Sequence, residues 1–138
     1  MRKMVKITLL VILTVVLISA VFYFYQQNSY EDCGNDQRCL QEKLSTCSRA
    51  KGSVRQSLGG SDYVVNYYEI RGETLVSAEI GQLRHCVVYK KRTADTEDTL
   101  RVGWEANCQL PKWEWGNSIN VIDLCEYCSG SWTEKINC

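Results

Sequence analysis

Eight cysteines carry most of the chemistry open to this sequence: Cys33, Cys39, Cys47, Cys86, Cys108, Cys125, Cys128 and Cys138. The number is even and none precedes Cys33. In an exported domain this pattern reads as four bridges without a spare thiol, although spacing cannot choose the pairing. Two of the eight form Cys125-Glu126-Tyr127-Cys128, a C-x-x-C that could instead be a redox dithiol or half of a metal site. A redox pair is best placed at a helix N-terminus, where the dipole favours a thiolate. Here the motif falls at the end of a predicted helix. There is no second C-x-x-C, and His85 is the only histidine, which is a poor supply for tetrahedral zinc. Structural disulfides are therefore the expectation, with no metal and no cofactor. A thiol–disulfide oxidoreductase using Cys125 and Cys128 is the enzymatic alternative.

Other candidate chemistry is thin. His85 adjoins Cys86, but a Cys–His nucleophile needs a free thiolate and an orienting Asn or Asp. Glu69, Glu73 and Glu79 would suit glycoside hydrolysis only as a pair across a cleft, and on strands and turns they read as solvent-facing charges. No nucleophile elbow, phosphate loop or dinucleotide fingerprint occurs. No catalytic residue is assigned, and the chain is read as non-enzymatic. The best binding candidates are Trp113 and Trp115, which alternate with Glu114 in the loop from Lys112 to Gly116. Loop tryptophans can anchor a protein partner or stack on a sugar ring; the alternative is that they cap the end of a sheet.

The elements that position these residues begin with an apolar run. Arg2, Lys3 and Lys6 form a basic segment over 1–6, and Ile7 to Tyr25 follows without a charged residue. A helix of that length matches the bilayer core, and the aromatic end Phe22 to Tyr25 suits the interface. The positive-inside rule predicts an N-terminus in the cytoplasm, a transmembrane signal-anchor over 7–25 in contact with membrane lipid, and an extracytoplasmic remainder. A cleaved secretory signal is the alternative, which would make the protein secreted. A polar juxtamembrane linker over 26–32 leads to one cysteine-rich domain over 33–138. The formal net charge is zero, and the basic run Lys90-Lys91-Arg92 is followed by Asp95, Glu97 and Asp98, which argues against a nucleic-acid partner.

Within that domain, Cys33 to Cys47 predicts a helix capped by Asn35 or Asp36, with Leu40, Leu44 and Cys47 on one face. Strands follow in close succession. Val54 to Leu58, Tyr63 to Arg71, Thr74 to Ile80 and His85 to Lys91 alternate or are rich in β-branched and aromatic residues. Arg71-Gly72-Glu73 and Gly81-Gln82 read as turns. Leu100 to Cys108 places Leu100, Val102, Trp104, Ala106 and Cys108 on one face, and Arg92 to Thr99 reads as a solvated hairpin tip. After Pro111, a second helix is predicted over Ile119 to Cys128, ended by Gly130. The expected fold class is α+β: a transmembrane helix, then a helix packed on a four- to five-stranded antiparallel meander, with a short C-terminal helix.

The motifs Cys33-x5-Cys39-Leu40, Cys47-Ser48-x-Ala50-Lys51, Tyr68-Glu69-Ile70-x-Gly72, Cys86-Val87-Val88 and Cys108-x-Leu110-Pro111 resemble small exported cysteine-rich proteins of archaeal genomes. The chain departs from that pattern at Leu40, where an aromatic residue is expected, and at Arg49, where a proline is. The resemblance implies an exported disulfide-rich domain and no activity. The expected function is thus a surface binding or structural module meeting another surface protein, a glycan or copies of itself. Its non-enzymatic alternative is a subunit of a surface assembly or filament packed through the apolar helix.

Overall fold

The computed structural model describes the backbone of residues 2–78, 81–122 and 124–136, and within these the side chains of all but 2–9, 27, 28, 121 and 124. Helix α1, Arg2–Asn28, precedes strand β1, Glu31–Gly34, and helix α2, Gln37–Ser45. Strands β2, Ala50–Gly59, β3, Asp62–Ala78, β4, Gly81–Asp95, and β5, Glu105–Pro111, follow. Short pieces complete the chain: helix α3, Leu124–Tyr127, strand β6, Cys128–Ser129, and helix α4, Ser131–Lys135. The strands lie in one sheet in chain order, six among the described residues. β1 pairs parallel to β2 and every later pair is antiparallel.

The nine-residue α2 forms because Asp36 accepts from the amides of Arg38 and Cys39 at 2.8 and 3.2 Å, satisfying N-terminal donors that have no partner within the helix. Its end is a Schellman turn: the Cys47 amide donates to Leu44 and that of Ser48 to Lys43. This leaves Cys47 at φ 49°, a left-handed conformation usually given to glycine. Cys47 keeps it while bridged to Cys86 in the middle of the sheet. Leu40 and Leu44 enter the core against Val54, Tyr68, Ile70, Val88 and Leu110. Gly52 is required beneath them, since a Cβ there would lie 2.8 Å from the Gly34 carbonyl oxygen and 3.2 Å from Leu40 Cδ1.

Among the described residues, only one face of the sheet is covered. Along β4, Cys86, Val88 and Lys90 are buried while Val87 and Tyr89 are half-exposed; on β5, Ala106, Cys108 and Leu110 are buried and Asn107 and Gln109 exposed. α2 covers part of the buried face, and the segment from Trp115 to Trp132 covers the rest. Gln41 clamps the two, donating from Nε2 to Asn117 O at 2.5 Å and accepting at Oε1 from the Ile119 amide at 2.7 Å.

Several expectations are corrected. Among the described residues no helix is long and apolar enough to cross a membrane. The expected transmembrane signal-anchor over 7–25 is corrected accordingly, and single-pass anchoring is unsupported. The four- to five-stranded antiparallel meander becomes a six-stranded mixed sheet, because β1 adds a parallel edge strand and β6 begins at Cys128, the last residue of the predicted C-terminal helix. That helix breaks up because the Cys108 bridge draws Cys128 alongside β5, while Gly130 at φ 131° brings the chain against Glu105.

Arg71 to Glu73 is no turn: β3 runs through it with a bulge between Ile70 and Gly72. β5 starts only at Glu105, because Asp98 caps a 3-10 turn over Thr99–Arg101, which leaves Leu100 84% exposed. The expected solvated tip at 92–99 contains a buried Asp95. Its carboxylate accepts from Arg92 at 2.7 Å and from the Glu97 and Asp98 amides at 3.1 and 2.9 Å.

The buried face is not wholly apolar. Lys90, 5% exposed, sets its Nζ 4.5 Å from the Trp132 ring and 5.5 Å from that of Tyr68, with Arg92 also over Trp132 at 4.6 Å. Arg92 is paired with Asp95, whereas no carboxylate among the described residues lies within ion-pair distance of Lys90. Burial, and then the charge of Arg92, push the Lys90 amine down to about 8. Below that pH the folded and unfolded chains both hold the proton and the cost of burying the charge is complete. Between about 8 and the ordinary lysine value near 10.4, only the unfolded chain holds it, so stability rises with pH there. Burial raises the Tyr68 hydroxyl, and a hydrogen bond to Glu105 raises that of Tyr89 to about 12. Unfolded tyrosines ionise near pH 10, so above that point stability falls again. Denaturant titration from pH 6 to 11 should show this rise and fall. Lys90→Met should abolish the rise and stabilise the protein by about 1–2 kcal/mol at pH 7, the desolvation cost less the lost cation–π contact.

Candidate functional site

The uncovered face of the sheet is lined by Tyr67, Glu69 and Arg71 from β3, His85, Val87 and Tyr89 from β4, and Glu105, Asn107 and Gln109 from β5, all half-exposed or exposed. Period-two alternation puts them there once their neighbours enter the core. The centre of this face is braced. Tyr67 and Tyr89 meet edge to face at 6.5 Å, and Arg71 lies 5.0 Å from the Tyr89 ring. Arg71 also pairs with Glu69 at 2.9 Å and donates to Asn107 Oδ1 at 3.4 Å. The Tyr89 hydroxyl donates to the Glu105 carboxylate. These groups satisfy one another, so they form a platform and leave no poised acid or base.

Beside the platform the face ends in a cleft of about 370 Å³. His85 and Val87 form one side, Asn107 and Gln109 the middle, and Glu126, Tyr127 and Ser129 the other side, with the Cys108–Cys128 bridge at the back. His85 Nδ1 is buried with no hydrogen-bond partner among the described residues. The Tyr127 hydroxyl bonds to Glu126, which raises its pKa, and also meets the Trp113 indole. Trp113, 67% exposed, lies against Tyr127 and is not itself part of the cleft lining. A larger depression of about 740 Å³ lies between the outer side of α2 and residues 116–118, but Gln41 in its wall is already committed to holding the fold together.

The two tryptophan candidates separate. Pro111 leads into a 3-10 turn over Lys112–Glu114, which turns Trp113 outward and Trp115 inward. Trp115 is 5% exposed and donates from Nε1 to Leu110 O at 2.9 Å, so it is a core residue. Cys125 and Cys128 also separate: Cys128 is bonded to Cys108, and Cys125 is disulfide-bonded elsewhere, so the motif does not close its own bridge. Cys33 is bonded to Cys39 and Cys47 to Cys86, and no described cysteine is free. Cys138 lies outside the described residues, as does Glu79. Cys86 is therefore no nucleophile for His85. Glu73 pairs with Arg84 and Glu69 with Arg71, while no group of three or more metal-ligating side chains occurs among the described residues.

The residues that sequence reasoning passed over are Asn107, Gln109, Glu126 and Tyr127. The alternation of β5 could have exposed the first two; the helical reading of 119–128 hid the others. No known protein family matches the chain, and no curated protein or solved structure is similar to it. The bridges point to an extracellular or otherwise oxidising location.

Peptide mass mapping of the unreduced protein should find the linkages 33–39, 47–86 and 108–128 and no fragment joined through 125–128. Capture of a 125–128 bridge would restore the redox reading.

Proposed function

We propose that this chain is a non-enzymatic binding module of the cell exterior, with the open sheet face around Trp113 as its contact surface. The supporting observation is the exposure of Trp113: a large apolar ring, two-thirds exposed, against Tyr127 of the cleft wall, on a sheet that also carries an ordered tyrosine–arginine platform. An exposed tryptophan beside a preordered polar surface is the composition of a binding hot spot. The bonded state of the described cysteines favours the same reading, since it leaves them as staples.

Trp113→Ala should leave the melting temperature within about 3 °C of the parent and weaken capture of the partner from the producing cells' envelope fraction by at least about tenfold, the effect of losing a hot-spot ring. Trp115→Ala should unfold the protein more readily by about 3–5 kcal/mol, as expected for a buried tryptophan. Equal capture by wild type and Trp113→Ala would sink the reading.

One observation favours a second reading, a subunit of a surface assembly. Leu10 to Tyr25 of α1 is largely apolar, yet these residues are exposed on all sides of the helix. Apolar surface of this extent on a folded chain calls for a cover. If copies of the chain supply it, sedimentation of the full-length protein gives a mass above the monomer's, and Leu13→Glu with Leu17→Glu returns it to the monomer. A monomeric wild-type chain would remove this reading.

A further inference from the structure

We infer that the cleft lined by His85, Gln109 and Tyr127, with the exposed Trp113 against Tyr127 beside it, binds a neutral sugar ring. The inference rests on the binding-module reading and names its ligand class. The cleft volume of about 370 Å³ falls in the range of small-molecule sites, and its lining excludes the other ligand classes in turn. An anion finds no Lys or Arg in the wall and meets the Glu126 carboxylate. A divalent cation finds no group of three ligating side chains among the described residues. An apolar ligand would cut the Gln109 amide and the Asn107 amide nitrogen off from water, at a cost for each donor or acceptor left unpaired. An added peptide strand would have to displace β6, which already pairs with β5 at Asn107 and Cys108.

A saccharide meets each feature. Asn107 and Gln109, two apart on one strand, present amides about 7 Å from each other along one face, each able to donate and accept towards ring hydroxyls. Glu126 adds an acceptor on the opposite wall. Val87 supplies an apolar floor, and the Tyr127 ring in the wall, with the exposed Trp113 indole against it, offers a flat surface for the C–H face of the ring. His85 Nδ1 is buried and unsatisfied in this wall. A hydroxyl, both donor and acceptor, satisfies imidazole in either tautomer once the ring turns to meet it.

The test uses the full-length oxidised protein with D-glucose, D-galactose, D-mannose and N-acetylglucosamine as separate probes in the millimolar range. Saturation-transfer NMR and tryptophan fluorescence report binding. At least one sugar should show saturation transfer, strongest at the protons of one ring face, and shift the emission. Trp113→Ala and Gln109→Ala should each weaken that binding at least tenfold. His85→Asn, which keeps a donor and acceptor near the Nδ1 position, should weaken it less than His85→Ala. Absence of saturation transfer from all four sugars overturns the inference, as does binding that is equal in wild type, Trp113→Ala and Gln109→Ala. If the sugars fail while Trp113→Ala still loses partner capture, only the ligand class is wrong. If capture also survives Trp113→Ala, the binding-module reading falls with it.

Discussion

The structure depends on sulfur bridges that fasten a thin covering layer to the middle of a sheet. α2 has nine residues, below the length at which a helix holds itself in water, and the segment over the other half of the sheet is a chain of short turns. Each is fastened to a central strand, α2 through Cys47–Cys86 to β4 and the C-terminal segment through Cys108–Cys128 to β5. The two anchor points sit on the same buried face in adjoining register, with Cys86 opposite Leu110 and Val88 opposite Cys108. Closing 39 residues through the first bridge removes about 4 kcal/mol of unfolded-chain entropy in the loop-closure picture. That gain also offsets the left-handed backbone at Cys47, a conformation that costs a non-glycine residue of order 1 kcal/mol.

A layer on one face leaves the other face to water, and the character of that face follows. Its residues cannot rely on burial, so they order one another. Arg71 is shared between Glu69, Asn107 and the Tyr89 ring, and Tyr89 is fixed at its hydroxyl by Glu105. Exposed pairs of this kind contribute little stability singly. Their effect is to hold rings and amides in fixed positions before any partner arrives, which lowers the ordering cost of binding.

Much of the fold was legible where alternation and burial coincide. Leu40 and Leu44 on one helical face, Cys86 and Val88 against Val87 and Tyr89, and Ala106 against Asn107 all follow from period alone. Legibility failed where a distant constraint overrode local pattern. Leu100 and Val102 continue the phase of β5, yet Asp98 caps a turn there and the strand cannot begin. Residues 119–128 have helical spacing, but a bridge to Cys108 makes Cys128 a strand residue. The apolar run after Ile7 has the composition of a membrane span, but among the described residues no helix has the required length and apolarity. Of the candidate site, Trp113 was visible as a loop aromatic. Its separation from Trp115 was not, because two tryptophans one residue apart look alike until a turn sends one to Leu110 and the other to solvent.

The cleft and the covering layer are the same structure seen from two sides. Glu126, Tyr127 and Ser129 form one wall of the cleft, and they stand there because the chain on either side is held. Before the turn, Cys128 is bonded to Cys108. After it, Gly130 approaches so closely that a Cβ would lie 2.7 Å from the Glu105 carbonyl oxygen, and the Ser131 hydroxyl accepts from the Glu105 amide at 3.1 Å. Trp132 then enters the core beneath the Lys90 and Arg92 cations. Reduction of the 108–128 bridge together with the bond of Cys125 would leave β6 with two pairing positions and two short helices to hold the wall, too little for a defined shape. The surface proposed to recognise a ligand therefore exists only in the oxidised chain, and an oxidising compartment is a condition of the site as much as of the fold.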